Sequence, residues 1–239
     1  MIGIRPSDDR GHANHGWLDS RFTFSFGDWY DPNWMGFSDL RVINEDHIAP
    51  GTGFPEHPHR EMEILTIVLD GKIAHKDSTG AGSSVGYGQF QLMSAGRGIA
   101  HSEFNPSPTD PTHLLQIWIV PDERGATPNY QESAVPPERW QNRWHTIAAP
   151  QGEGETLKIR ANASVYIASL AKGEKLSVPY SADRIGWMQV AKGSVRIGEA
   201  IAGDGDGVAM IDEDTPPTIE ATRDALVVYF DLRDPRRDA

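Results

Sequence analysis

The chain has 239 residues, 38% of them hydrophobic and 23% charged, which is ample for a sizeable core and argues against wholesale disorder. Its formal charge of −12 removes the electrostatic drive toward phosphate backbones, so direct nucleic-acid binding is not expected. Cysteine is absent, which excludes disulfides, thiolate-bound zinc, iron–sulfur clusters and thiol catalysis.

The N-terminal MIGIRPSDDRGHANH carries charges where a signal peptide needs an apolar core, and no run approaches the ~20 apolar residues of a membrane span. A cytoplasmic protein without a membrane partner is the expectation. Gly 24 and Pro 17 punctuate the chain with turns. Between them, FTFSF at 22–26, LRVIN at 40–44, EILTIVL at 63–69, FQLMS at 90–94 and HLLQIWIV at 113–120 read as short strands. The same holds for SVYIASL at 164–170, IGWMQVA at 185–191, SVRIG at 194–198, GVAMI at 207–211 and LVVYFDL at 226–232. Sustained helical periodicity and a βαβ rhythm are missing, so the expected class is all-β, a sandwich or barrel with few short helices. The polar stretch 121–154 reads as a connector with one helical turn at 137–143. It divides the chain into domains at 1–135 and 136–239.

All nine histidines lie at or before position 145, and eight lie at or before 113. Two spacings carry chemistry. His57 and His59 in GTGFPEHPHREME stand at i and i+2, as do His101 and Glu103 in AHSEFN. On a strand, alternate side chains share a face, so each pair can offer two donors to one point. Three imidazoles and one carboxylate suit a divalent first-row metal such as iron, nickel, copper, zinc or manganese. Pro58, between the two histidines, fits a strand start or a bulge.

These residues also carry a resemblance. G51-x5-H57-x-H59-x3-E63 and H101-x3-N105 resemble the two cupin motifs. FPEHPHREMEILTIVLDG, MSAGRGIAHSEFNP and the run RGHANHGWLDSRFTFSFGDWYDPNWMGFSDLRVINED resemble pirin-type cupins more specifically. The resemblance runs through HLLQIWIVP and, more weakly, into WMQVAKGSVRIG. It implies a bicupin of two tandem jelly-roll barrels, with metal in the first domain only. It implies His57, His59, His101 and Glu103 as ligands, with Glu63, the carboxylate ligand of many other cupins, released from that role. Iron(II) leads the implied cofactors; nickel, copper, zinc, manganese and cobalt also fit. Two departures concern barrel geometry: one extra residue between Glu63 and Gly71, and Gly96 where the second motif has proline.

The implied activity is quercetin 2,3-dioxygenase-like: a flavonol or aromatic enol is cleaved with O2 and carbon monoxide leaves. Glu103 is then ligand and general base, and Gln116 and Phe54 are candidates beside the substrate. Rival readings are a metal-binding regulator acting through a protein partner, and another cupin enzyme, such as an isomerase or a dioxygenase of small enediols or diketones. The protein is expected to be monomeric. His12 and His15 read as loop histidines at the barrel mouth, His47, His75 and His113 receive no role, Met93 reads as core, and GDGDG at 203–207 reads as a tight turn.

Overall fold

A computed structural model describes residues 1–237. After β1 (Ile2–Arg5), the first half lays down β2 (Gly11–Asn14), β3 (Leu18–Phe22), β4 (Leu40–Ile48), β5 (Gly53–His59), β6 (Glu63–Asp70) and β7 (Lys72–Asp77). It continues with β8 (Gly82–Gly86), β9 (Gln89–Ser94), β10 (Ile99–Phe104), β11 (Thr112–Ile119) and β12 (Asn129–Ala134). The second half supplies β13 (His145–Ala149), β14 (Leu157–Lys158), β15 (Ala163–Leu170), β16 (Lys175–Ser177) and β17 (Arg184–Ile197). The last strands are β18 (Ala200–Gly203), β19 (Gly207–Met210) and β20 (Thr218–Arg233). Helical structure among the described residues is limited to three short 3-10 turns.

Two compact units result among the described residues: Gly11–Ala134 with Ile159–Ala161, and Met1–Arg10 with Val135–Lys158 and 162–237. A cut at 135/136 is therefore crossed twice. Strand β1 pairs with β19, far along the chain, and residues 159–161 return to the first unit.

In the first unit a seven-stranded sheet runs β12-β9-β6-β11-β4-β3-β2, and a four-stranded sheet runs β5-β10-β7-β8. Ile73 and Val85 of the small sheet pack with Ile48, Val68 and Leu114 of the large one, which closes one end of the interior. The chain passes from β6 in the large sheet to β7 in the small one through a tight turn at Asp70–Gly71, with Gly71 at φ +73°, the backbone region that favours glycine. Gly96, at the position of the missing proline, has φ +46°, and a Cβ there would lie 2.1 Å from the Ala126 carbonyl oxygen. The departure is thus a requirement of this backbone.

The second unit is one antiparallel-dominated sheet, β1-β19-β17-β20-β15-β13-β14, with β16 on β20 and β18 on β17. Val190, Val195, Val208, Val227, Met188, Met210 and Tyr229 fill its core.

Several elements differ from the sequence expectation. The run at 22–26 keeps only Phe22 in a strand, because Phe26 and Trp29 exchange backbone bonds of 3.1 Å in a tight turn. The runs at 185–191 and 194–198 are one strand, β17, which bends at Gly193 (φ +83°) while staying paired to β20. The polar connector contributes β12, a half-exposed edge strand whose backbone pairs with β9 along its whole length. Ladder bonds do not need apolar side chains, so its composition hid it. The expected turn at 137–143 is a 3-10 turn at Pro137–Trp140, and GDGDG turns the chain between β18 and β19.

Candidate metal centre and cavity

The small sheet brings the histidines together through register. In the β5–β10 ladder His101 lies opposite His57, and Ile99 lies opposite His59. A bulge between His101 and Glu103 re-aims the strand. Strand β5 is a sheet edge, where Pro58 loses no ladder bond that the fold needs. The rings of His57, His59 and His101 lie 4.5–4.9 Å apart between centroids. Their ring nitrogens fall within 4.8 Å of one another, as do the donors of His75, His101 and Glu103; the two triplets share His101.

The ring nitrogens are oriented by hydrogen bonds. His57 Nδ1 meets the Pro55 carbonyl at 2.8 Å, which leaves Nε2 for the interior. His101 Nδ1 meets His75 Nδ1 at 3.3 Å, and His75 Nε2 meets Asp77 Oδ2 at 3.0 Å. With Asp77 ionised, His75 donates from Nε2, so its Nδ1 accepts from His101 Nδ1–H. His101 Nε2 then carries a lone pair, and it is buried without a hydrogen-bond partner. Hydroxyl and amide donors from Thr79 and the bond to His75 outweigh burial and hold the Asp77 carboxyl below its usual range. Burial, then the neighbouring His57 and His59, pushes the His101 imidazolium down to about 3; burial and His57 bring His59 to about 4. Both rings are neutral at neutral pH, the state in which imidazole binds metal.

Glu103 is fully enclosed. Gln91 Nε2 donates to its Oε1 at 2.9 Å and Gln116 Nε2 to its Oε2 at 2.7 Å. Thr66 closes the ring, accepting from Gln91 at 3.1 Å and donating to Gln116 Oε1 at 2.9 Å. Burial raises the Glu103 carboxyl to about 7, against the lowering effect of Gln116 and with Asp46 adding to the rise. Each oxygen keeps a lone pair beyond its amide bond. Three imidazoles, one of them with an orphaned buried nitrogen, and one enclosed carboxylate fit a divalent first-row metal.

Glu63 is held elsewhere: its Oε2 accepts from the Ser94 hydroxyl at 2.8 Å and from the Arg160 backbone N–H at 3.2 Å. Asn105 ties its loop to the carbonyls of Ile48 and Asp110.

A cavity of about 740 Å3 adjoins these groups. His57, His59, Glu103, Gln116 and Phe54 line it, and so do Trp17, Phe22, Phe26, Trp29 and Trp118. Phe54 stacks edge-on to Trp17 at 5.1 Å. Met93 is core, packed with Ile64 and Ile99. His12 and His15 line the cavity as well, and His12 is paired with Asp19 at 2.9 Å. His47 stacks on His113, which bonds Glu45.

Three groups around the site escaped the sequence reading. His75 and Asp77 share the i, i+2 spacing of the other pairs, but only the register of β7 beside β10 brings them to His101 and Glu103. Asp46 has no such signal. It is buried on the cavity wall, accepts a hydrogen bond from the Ser20 hydroxyl, and burial raises its carboxyl to about 7.

Comparison with known proteins follows the same lines. Residues 3–119 match the model of the Pirin family, and residues 146–232 match that of the quercetinase C-terminal cupin domain. Quercetin 2,3-dioxygenase of Escherichia coli (strain K12) is 47% identical over 97% of this chain and 99% of its own length. A pirin-like protein of Caulobacter vibrioides is 40% identical over 97% of this chain and 99% of its own. The crystal structure of a bacterial pirin from Escherichia coli in complex with nickel(II) superposes with a TM-score of 0.92 at 46% identity, covering 98% of this chain and 99% of that one.

Proposed function

The chain belongs to the pirin family, and on that premise we propose that it is a metal-dependent dioxygenase cleaving flavonols such as quercetin with O2 and releasing carbon monoxide. One observation carries the reading: His101 Nε2, buried and unpartnered, faces His57 and His59 beside a cavity walled by aromatic rings. His57, His59, His101 and Glu103 would hold the metal. Iron(II) and nickel(II) both suit that donor set, and the nickel(II) complex of the bacterial pirin supports a divalent ion. When bound, such an ion supplies Lewis acidity that lowers the pKa of a coordinated hydroxyl, and a template for substrate and oxygen.

The chain's own groups do the rest. The aromatic lining takes up a flat, apolar ring system and excludes water. Gln91 and Gln116 fix the Glu103 carboxylate in one orientation. Held by Gln91 and Gln116 on the cavity wall, Glu103 is the group placed to accept the proton of the flavonol enol. The O–H bond breaks, the proton goes to a Glu103 oxygen, and the electron pair stays on the substrate oxygen. Gln116, which donates to Glu103 Oε2, positions the base.

The test is oxygen uptake by protein reconstituted with iron(II) or nickel(II) and given quercetin, with carbon monoxide assayed in the headspace. We expect uptake and carbon monoxide in equal amounts, both lost in His101→Ala. A protein that binds one metal tightly per chain yet consumes no oxygen overturns the reading and favours a regulatory role. Glu103→Gln with full turnover removes the proton-accepting role of Glu103.

A further inference from the structure

The inner face of the seven-stranded sheet carries a polar row that outruns the metal centre. Gln91, Thr66, Gln116 and Asn44 are successive cross-strand neighbours on β9, β6, β11 and β4. The first three satisfy one another and Glu103. Asn44, at the end of the row, lines the cavity and is only 4% exposed, yet its Oδ1 has no hydrogen-bond donor. Buried carbonyls left in that state destabilise a fold unless something supplies an N–H or O–H. Two residues on, on the same face of β4, Asp46 also lines the cavity, with the Ser20 hydroxyl as its hydrogen-bond donor. Asn44, with its unsatisfied carbonyl, and Asp46 therefore line one stretch of a cavity that also carries aromatic walls.

We propose that Asn44 and Asp46 form a hydroxyl-reading subsite that selects polyhydroxylated aromatic substrates over those carrying only the hydroxyl that meets the metal. This rests on the flavonol reading above. The chemistry favours a hydroxyl over an amine as the occupant. A hydroxyl donates to Asn44 Oδ1 or to an ionised Asp46 and accepts from a protonated Asp46, whereas an ammonium only donates. An Asp46 carboxyl near 7 samples both forms at neutral pH.

The test compares quercetin with 3-hydroxyflavone, which has only the enol hydroxyl, binding to metal-loaded protein without oxygen, followed by tryptophan fluorescence. Wild type is expected to prefer quercetin by about tenfold or more, the equivalent of one or more hydrogen bonds to a buried acceptor. Asn44→Leu and Asp46→Asn each weaken quercetin by about tenfold and leave 3-hydroxyflavone within about twofold. Ligand-free Asn44→Leu should also keep or raise its Tm, since it removes an unsatisfied carbonyl while filling the same space. Equal loss of both flavonols, a preference that survives both variants, or a Tm that falls in Asn44→Leu overturns the subsite. A wild type that binds both flavonols equally sinks the subsite alone; one that binds neither sinks the flavonol reading with it.

Discussion

The two units meet the same problem, an inward-facing strand surface, with opposite chemistry. In the second unit the inner positions of β17 and β20 are Met188, Val190, Val227 and Tyr229, part of one apolar cluster. In the first unit the corresponding kind of surface carries Gln91, Thr66, Gln116, Asn44 and Asp46 and borders a cavity of about 740 Å3. A filled interior maximises dispersion contacts and apolar burial. A hollow, polar interior gives those up, and hydrogen bonds must then cover what it exposes. The fold alone therefore does not make a site. The site arises where inward residues are polar, mutually bonded and one bond short.

That contrast can be broken at its strongest point first. Met188→Ala, in the filled core, should lower unfolding free energy by about 3 kcal/mol through lost transfer energy and a residual cavity. Metal stoichiometry of the folded fraction should stay at one per chain, measured by elemental analysis beside a urea titration. Loss of metal there would mean that the two interiors are not energetically separate.

The next effect is confined to the first unit. His75→Leu removes the ring that orients His101 through Nδ1. Metal affinity should fall by about 10–100-fold, the usual penalty for losing such an orienting partner. Competition with a chromophoric chelator reads this directly, and an unchanged affinity would show that His101 is oriented by packing alone.

A pH series sharpens the comparison further. The Asp46 carboxyl is raised from 3.8 to about 7 by burial, so the folded state holds a proton that the unfolded state releases. Its contribution to stability is present below about pH 4 and is lost as pH rises toward 7 and beyond. His59 and His101, lowered to about 4 and about 3 mainly by burial, act in the opposite sense, adding stability as pH rises toward 6.5. The difference between wild type and Asp46→Asn isolates one group. In metal-free protein the variant should gain on the order of 2 kcal/mol relative to wild type between about pH 5 and about pH 7.5. Parallel curves would place Asp46 in water.

The smallest effect belongs to His12→Ala. Its pair with Asp19 is exposed, so stability should change by less than about 1 kcal/mol, with metal retained. A fall in metal content would move the centre toward the barrel mouth.

The strand periodicity and the two i, i+2 pairs that the fold brings together were legible because both are local. His57 and His59 need only each other and an extended backbone, as do His101 and Glu103. His75 and Asp77 obey the same spacing, but their meaning depends on β7 lying beside β10, which places His75 opposite Glu103 and Asp77 opposite His101. Such register is a long-range property and leaves no mark in the run KIAHKD. Asn44 and Asp46 were hidden for a related reason: LRVIN reads as strand, but which of its faces looks inward is decided by β3 and β11. Strand β12 was lost to its polar composition, and β1 to a partner some two hundred residues away.

The edge position of β5 has one more consequence. Its backbone is bonded to β10 on one side only, and His57 and His59 both ride on it, half-buried. His101 and Glu103 sit on β10, which is flanked by β5 and β7. Edge segments open at far lower free energy than central ones, so the amides of 53–59 should exchange with deuterium ahead of those of 99–104. The donors thus divide into a fixed half and a hinged half. A local opening of β5 would release both imidazoles together, and faster exchange of 53–59 than of 99–104 is the measurement that checks it.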